Sequence, residues 1–102
     1  MKEITQNQFT QETSSGNVVV MFSGATCPNC KIVERYLVDI QKTRPDIAFI
    51  KVNTTTAPEL VTKFNIMSLP TLVFLKDNKS MGELVSLKPK PLIEKKLVES
   101  FG

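Results

Sequence analysis

Val18-Val19-Val20-Met21-Phe22-Ser23-Gly24-Ala25-Thr26-Cys27-Pro28-Asn29-Cys30-Lys31-Ile32-Val33-Glu34-Arg35-Tyr36-Leu37 is the stretch that decides how this chain folds. Its first five residues form a continuous β-branched and apolar run, the pattern of a strand buried on both faces. Ser23-Gly24-Ala25-Thr26 reads as a loop. Beyond it Ile32, Val33, Tyr36, Leu37 and Ile40 recur at helical spacing, with Lys31, Glu34, Arg35 and Asp39 between them. Pro28 suits a first helical turn, where no N–H is required. The stretch therefore predicts strand, loop and helix, with the chain's only two cysteines at the loop-to-helix junction.

That placement has chemical consequences. A helix N-terminus carries partial positive charge and unpaired N–H groups, so it stabilises an anion. A thiolate is such an anion, and it is the reactive form of cysteine. A second thiol three residues on lies on the same side of the first turn and can attack a mixed disulfide formed at the first. The spacing suits reversible exchange between dithiol and disulfide. A purely structural staple is a poor reading, because closing so short a loop constrains the unfolded chain by only about 2 kcal/mol.

Outward from this stretch the remaining elements follow. Thr5 with Gln8 reads as a capping box opening a short first helix, ended by Ser14-Ser15-Gly16-Asn17. Ile47 to Val52 is a second strand. Thr56-Ala57-Pro58-Glu59 reads as another capping box, leading into a short helix through Phe64. Thr71 to Leu75 is a third strand, Lys76-Asp77-Asn78-Lys79 a turn, and Met81 to Leu87 a weaker fourth strand. Leu92, Ile93, Leu97 and Phe101 give a last helix its buried face, with Pro89 near its start. Strands joined through helices are expected to pair in parallel, and the strands flanking the turn antiparallel. The expected fold class is α/β, with a central mixed sheet flanked by helices on both faces and a single domain over residues 1–102. In open sheets of this kind the chemistry lies beyond the carboxyl ends of the parallel strands, which is where Cys27 falls.

Composition narrows the function. The 102 residues are 41% hydrophobic, with 13 basic and 10 acidic residues and a formal charge of +3. The densest basic segment, Lys88 to Lys96, is interleaved with Pro89, Pro91 and Glu94 and reads as a solvated face. A nucleic-acid surface would pair a basic stripe with exposed aromatics, and the pattern offers neither. No segment approaches the roughly 20 apolar residues of a membrane span. The polar N-terminus has no hydrophobic core of a secretory signal. Two cysteines in such a chain point to a reducing, cytoplasmic compartment and to a catalytic or metal-binding pair.

Two segments together resemble the thioredoxin family. One is the strand and dithiol, Val18 to Cys30. The other is Phe64-Asn65-Ile66-Met67-Ser68-Leu69-Pro70-Thr71-Leu72-Val73-Phe74-Leu75-Lys76-Asp77-Asn78, similar to the family's segment in which a cis-proline precedes the third main strand and faces the active site. The resemblance implies a thioredoxin-like fold and a protein-disulfide reductase. It implies Cys27 as nucleophile, Cys30 as resolving thiol, and a redox-active disulfide between them with no bound cofactor and no metal. Pro70 in cis would bring the Leu69 backbone beside the dithiol, where it could pair with an extended substrate. Thr26, Pro28 and Asn29 would complete the substrate-binding rim. Lys51 matches a lysine whose charge lies near the buried thiol and would favour a thiolate. The implied partners are disulfide-containing proteins and a thioredoxin reductase or other thiol reductant, with the chain a monomer free of nucleic acid and membrane.

The departures from the family pattern carry their own expectations. Pro28-Asn29 stands where typical thioredoxins have Gly-Pro, Thr26 where they have tryptophan, and Met21 where they have a buried acid beneath the dithiol. No other carboxylate and no histidine is evident from sequence for proton transfer at Cys30, which leaves water, Cys27 or Lys51 to serve and predicts slower or more pH-dependent resolution. Without proline before Cys30, extra N–H donors to the Cys27 thiolate predict a potential less reducing than the thioredoxin value of about −270 mV. Two other readings stay open: a redox-independent binding subunit using the surface around Thr26, Asn29 and Leu69, and a dimer pooling two cysteine pairs around zinc or an iron–sulfur cluster.

Overall fold

The buried run expected at Val18–Phe22 is the middle of the molecule. A computed structural model describes residues 1–102. In it, strand β2 (Asn17–Ser23) lies at the centre of a five-stranded sheet of order β1-β3-β2-β4-β5. Strands β1 (Lys2–Ile4) and β3 (Ile47–Asn53) lie on one side of it, β4 (Thr71–Lys76) and β5 (Lys79–Val85) on the other. Strands β1, β3 and β2 are parallel, whereas β4 runs antiparallel to both β2 and β5.

Alternation along β2 sends its side chains to two cores. Val18, Val20 and Phe22 pack with Ile50, Val52, Val73 and Leu75 under helices α1 (Phe9–Glu12) and α3 (Pro58–Lys63). Val19 and Met21 pack with Phe49, Leu72 and Phe74 under helices α2 (Pro28–Gln41) and α4 (Lys90–Phe101). The helices contribute Val33, Leu37 and Ile40 from α2 and Ile93 and Leu97 from α4. The mixed sheet covered on both faces is as expected.

Several local expectations are corrected. The N-terminal residues form a strand, β1, because pairing with Ile50–Val52 and burial of Ile4 supply what three residues of pattern cannot. Strand β4 follows a helix yet runs antiparallel to β2. A seven-residue strand spans about 23 Å, while six-residue α3 spans about 9 Å, so α3 cannot carry the chain back along the sheet. The chain re-enters at the end it left. The capping box at Thr56 does not form. Residues Thr54–Thr56 are a 3₁₀ turn whose Thr55 N–H is accepted by Asn53 Oδ1 at 2.9 Å, and Ala57 caps α3. Strand β5 begins at Lys79, not Met81, because Asp77 and Asn78 (φ 48° and 67°) close a two-residue turn and pairing resumes at once. Leu92 is exposed, and Ser100 takes a buried place on α4. The Thr5–Gln8 capping box does form, with the Thr5 N–H donating to Gln8 Oε1 at 3.0 Å, and it opens a 3₁₀ turn (Gln6–Gln8) that leads into α1.

The register places the site. Phe22 pairs with Thr71, so Pro70 and the Ser23–Gly24 turn leave the sheet side by side. Asn53 closes β3 at the same end. The carboxyl ends of two parallel strands and the start of β4 therefore meet where Cys27 begins α2.

Candidate active site

Cys27 is the N-cap of α2, with extended backbone, and Pro28 takes the first helical position. The sulfurs of Cys27 and Cys30 are within bonding distance, with Cα atoms 5.2 Å apart. The two are unequal. Cys27 is half-buried at the rim, whereas Cys30 is 4% exposed on the inner face of α2. The Cys30 N–H donates to Cys27 Sγ at 3.2 Å. An amide at the positive end of a 14-residue helix is thus aimed at the rim sulfur. That donor is Cys30's own amide, which a proline at position 29 would leave in place. The extra donor expected from Asn29 does not bond Cys27 Sγ.

The expected rim residues divide. Thr26 and Pro28 are exposed and line a shallow hollow of about 310 Å³ with Cys27, Ala25 and Lys31. Asn29 is exposed but lines no hollow. Leu69 is half-buried, Pro70 is buried, and the peptide between them is cis. A Cβ added to Gly24 would lie 3.1 Å from Leu69 Cδ1, so the dithiol loop and the proline loop are in close approach. Leu69 also lines a groove of about 320 Å³ with Thr54, Val61, Ile66 and Met67, the most exposed of the large apolar residues at 85%.

Beneath the dithiol the structure overturns the expectation that no carboxylate is at hand. Cys27 and Cys30 open onto a cavity of about 190 Å³ that Glu34, Lys51, Glu3 and Asn53 also line. Lys51 is where expected, on β3 beside the cysteines, but its ammonium is engaged by a carboxylate. Its Nζ donates to Glu34 Oε1 and Oε2 at 3.1 and 3.2 Å and lies 3.8 Å from Glu3 Oε1. Met21 is fully buried next to Lys51 across the β2–β3 pairing. Glu34 is four residues beyond Cys30, a helical neighbour that spacing alone makes available. Glu3 arrives through β1, which the sequence pattern does not announce. No group of three or more His, Cys, Asp or Glu side chains is arranged to hold a metal ion.

Comparison with known proteins agrees with this geometry. The family model described as Thioredoxin matches residues 1–99. The thioredoxin of Listeria monocytogenes is 35% identical over 91 residues, covering 88% of each chain. Among solved structures, thioredoxin f2 of Chlamydomonas reinhardtii superposes with a TM-score of 0.86 at 24% identity, covering 96% of this chain and 94% of its own. The thioredoxin of Trypanosoma brucei brucei superposes at 0.85 with 25% identity, covering 95% and 87%.

Proposed function

The chain belongs to the thioredoxin family, and from that premise we propose that Cys27 is its attacking thiol and Cys30 its resolving thiol. The activity is that of the family: a thiol–disulfide oxidoreductase that reduces protein disulfides through its Cys27–Cys30 pair. The observation that carries the division of labour is the asymmetry of the pair. Cys27 Sγ stands at the rim and accepts the Cys30 N–H at the helix start, while Cys30 is nearly sealed from solvent.

In the forward direction, the Cys27 thiolate attacks one sulfur of a substrate disulfide and releases the other as a thiol. Cys30 then attacks Cys27 Sγ, the bond from Cys27 to the substrate breaks, and the substrate leaves reduced. Two electrons pass to the substrate and the chain is left as the Cys27–Cys30 disulfide. The helix N-terminus lowers the energy of each thiolate that forms at position 27, by about 0.3–1 kcal/mol. The Leu69 backbone at the cis peptide, with Thr26, Pro28 and Asn29 around the rim, receives the extended segment that flanks the substrate cysteine. Lys51 acts beneath the dithiol through Glu34.

Thioredoxins act without a bound cofactor, on disulfide substrates, and are returned to the dithiol by a thioredoxin reductase. For this chain we read the same classes of partner, a single domain over 1–102, a monomeric state, a cytoplasmic setting, and no nucleic-acid or membrane partner. No helix is long and apolar enough to cross a membrane. The test of the assignment is trapping. Cys30→Ser should accumulate a stoichiometric mixed disulfide with an insulin chain at Cys27, and Cys27→Ser should accumulate none. Trapping on Cys30 in the Cys27→Ser protein would reverse the roles.

A further inference from the structure

We propose that the Glu34 carboxylate takes the proton from the Cys30 thiol as Cys30 attacks the mixed disulfide at Cys27. The inference rests on the reading of Cys27 as attacking and Cys30 as resolving thiol.

Three observations carry it. The first is need. The thiolate is the nucleophile, and Cys30, 4% exposed, cannot hand its proton directly to bulk water. The second is placement. Glu34 follows Cys30 by one helical turn on the same side of α2, and both open onto the same cavity of about 190 Å³, which has room for water to relay a proton. The third is fixation. Lys51 holds both Glu34 oxygens, at 3.1 and 3.2 Å, from the neighbouring strand, so the carboxylate does not swing freely into solvent. Glu34 is therefore a base held in position beside a buried acid, which is what efficient proton transfer asks for.

Glu3 is the other carboxylate in the cavity, but it comes from the edge strand, its side chain is 60% exposed, and it lies 3.8 Å from Lys51. The charged groups that share the cavity with Glu34 are Lys31 on its own helix, Lys51 on β3 and Glu3 on β1, and on the outer face of α2 it adjoins Arg35, Asp39 and Lys42. No acid is available from β2, where Met21 is sealed in the core.

Cys30 Sγ bonds to Cys27 Sγ, and the bond from Cys27 Sγ to the substrate sulfur breaks. The electron pair leaves with the substrate thiolate, which solvent protonates. The Cys30 proton passes to Glu34 and from there to bulk water. Between free groups, moving a proton from a thiol to a carboxylate is uphill by about four pK units. The transfer is therefore coupled to formation of the sulfur–sulfur bond and does not precede it.

Ellman's reagent separates the two steps. Reduced protein releases one nitrothiobenzoate when Cys27 is attacked and labelled, and a second when Cys30 resolves the label. In Glu34→Gln the second phase is expected to slow about tenfold or more at pH 7. Its rate should then climb about tenfold per pH unit between pH 6 and 8, as hydroxide replaces the missing base. The first phase should keep its wild-type rate, and Glu34→Asp should recover part of the loss. A second phase with wild-type rate and pH profile in Glu34→Gln would overturn the proposal. Equal slowing in Glu3→Gln would also overturn it, by making the effect one of general charge. Absence of the first phase from wild-type protein would instead overturn the assignment of Cys27 itself.

Discussion

Lys51 Nζ, on β3, donates to both carboxylate oxygens of Glu34, on α2, at 3.1 and 3.2 Å. This pair ties the dithiol helix to the sheet directly beneath Cys30. With side chains 23% and 31% exposed, it is partly screened by water. A double-mutant cycle of Lys51→Met and Glu34→Gln should give a coupling of about 0.5–1 kcal/mol in urea unfolding. Single and double variants that add without coupling would show the pair to be solvated in solution.

Gly24 lets the dithiol loop approach the proline loop. An alanine Cβ there would stand 3.1 Å from Leu69 Cδ1, so one side chain must give way. Gly24→Ala should destabilise the fold by about 1 kcal/mol. It should also lower kcat/KM for a protein disulfide more than for a small disulfide, as the docking role proposed for the Leu69 backbone requires. Equal effects on both substrates would remove Leu69 from substrate docking.

Leu37 lies fully buried on α2, two helical turns beyond Cys30, in the core that α2 and α4 form against the sheet. Leu37→Ala should cost about 2–5 kcal/mol in denaturant unfolding, the range for a cavity left in a close-packed core. A loss under about 1 kcal/mol would mean that the site collapses around the smaller side chain.

Lys90 on α4 and Asp39 on α2 form an exposed ion pair. The hydrogen bond from Lys90, then its charge, holds the Asp39 carboxyl below its ordinary 3.8. The hydrogen bond to Asp39 in turn holds Lys90 above its ordinary 10.5. The carboxyl's share of stability is therefore present above its ordinary value and lost as pH falls through the lowered one. The ammonium's share is present below its ordinary value and lost as pH rises through the raised one. Lys90→Met should return the Asp39 titration upward toward 3.8 in carboxyl NMR. An unchanged titration would show that the contact is not kept in solution.

What the sequence conveys divides along physical lines. Val18–Phe22 and the spacing of Val33, Leu37 and Ile40 announce β2 and α2, because long elements buried on a face must repeat that face in their side chains. The cysteines and Pro70 are legible because their residue types have few other uses at those places. Lys2–Ile4 is not legible as a strand, since three residues carry no period and pairing with β3 supplies the order. The antiparallel direction of β4 is hidden because it depends on how far α3 can carry the chain. Glu34 lies between these cases. Its spacing from Cys30 is plain, but the partners that hold it come from strands whose adjacency is a property of the sheet order. A carboxylate on an amphipathic helix otherwise reads as one more solvated charge.

The central claim is that the Cys27–Cys30 pair transfers electrons to protein disulfides. Dithiothreitol-driven reduction of insulin, followed by turbidity, tests it most directly when the native chain is compared with Cys27→Ser. The account predicts rapid precipitation of the insulin B chain with the native protein and only the thiol background with Cys27→Ser. Equal rates from the two proteins, whether both catalyse or neither does, would contradict it.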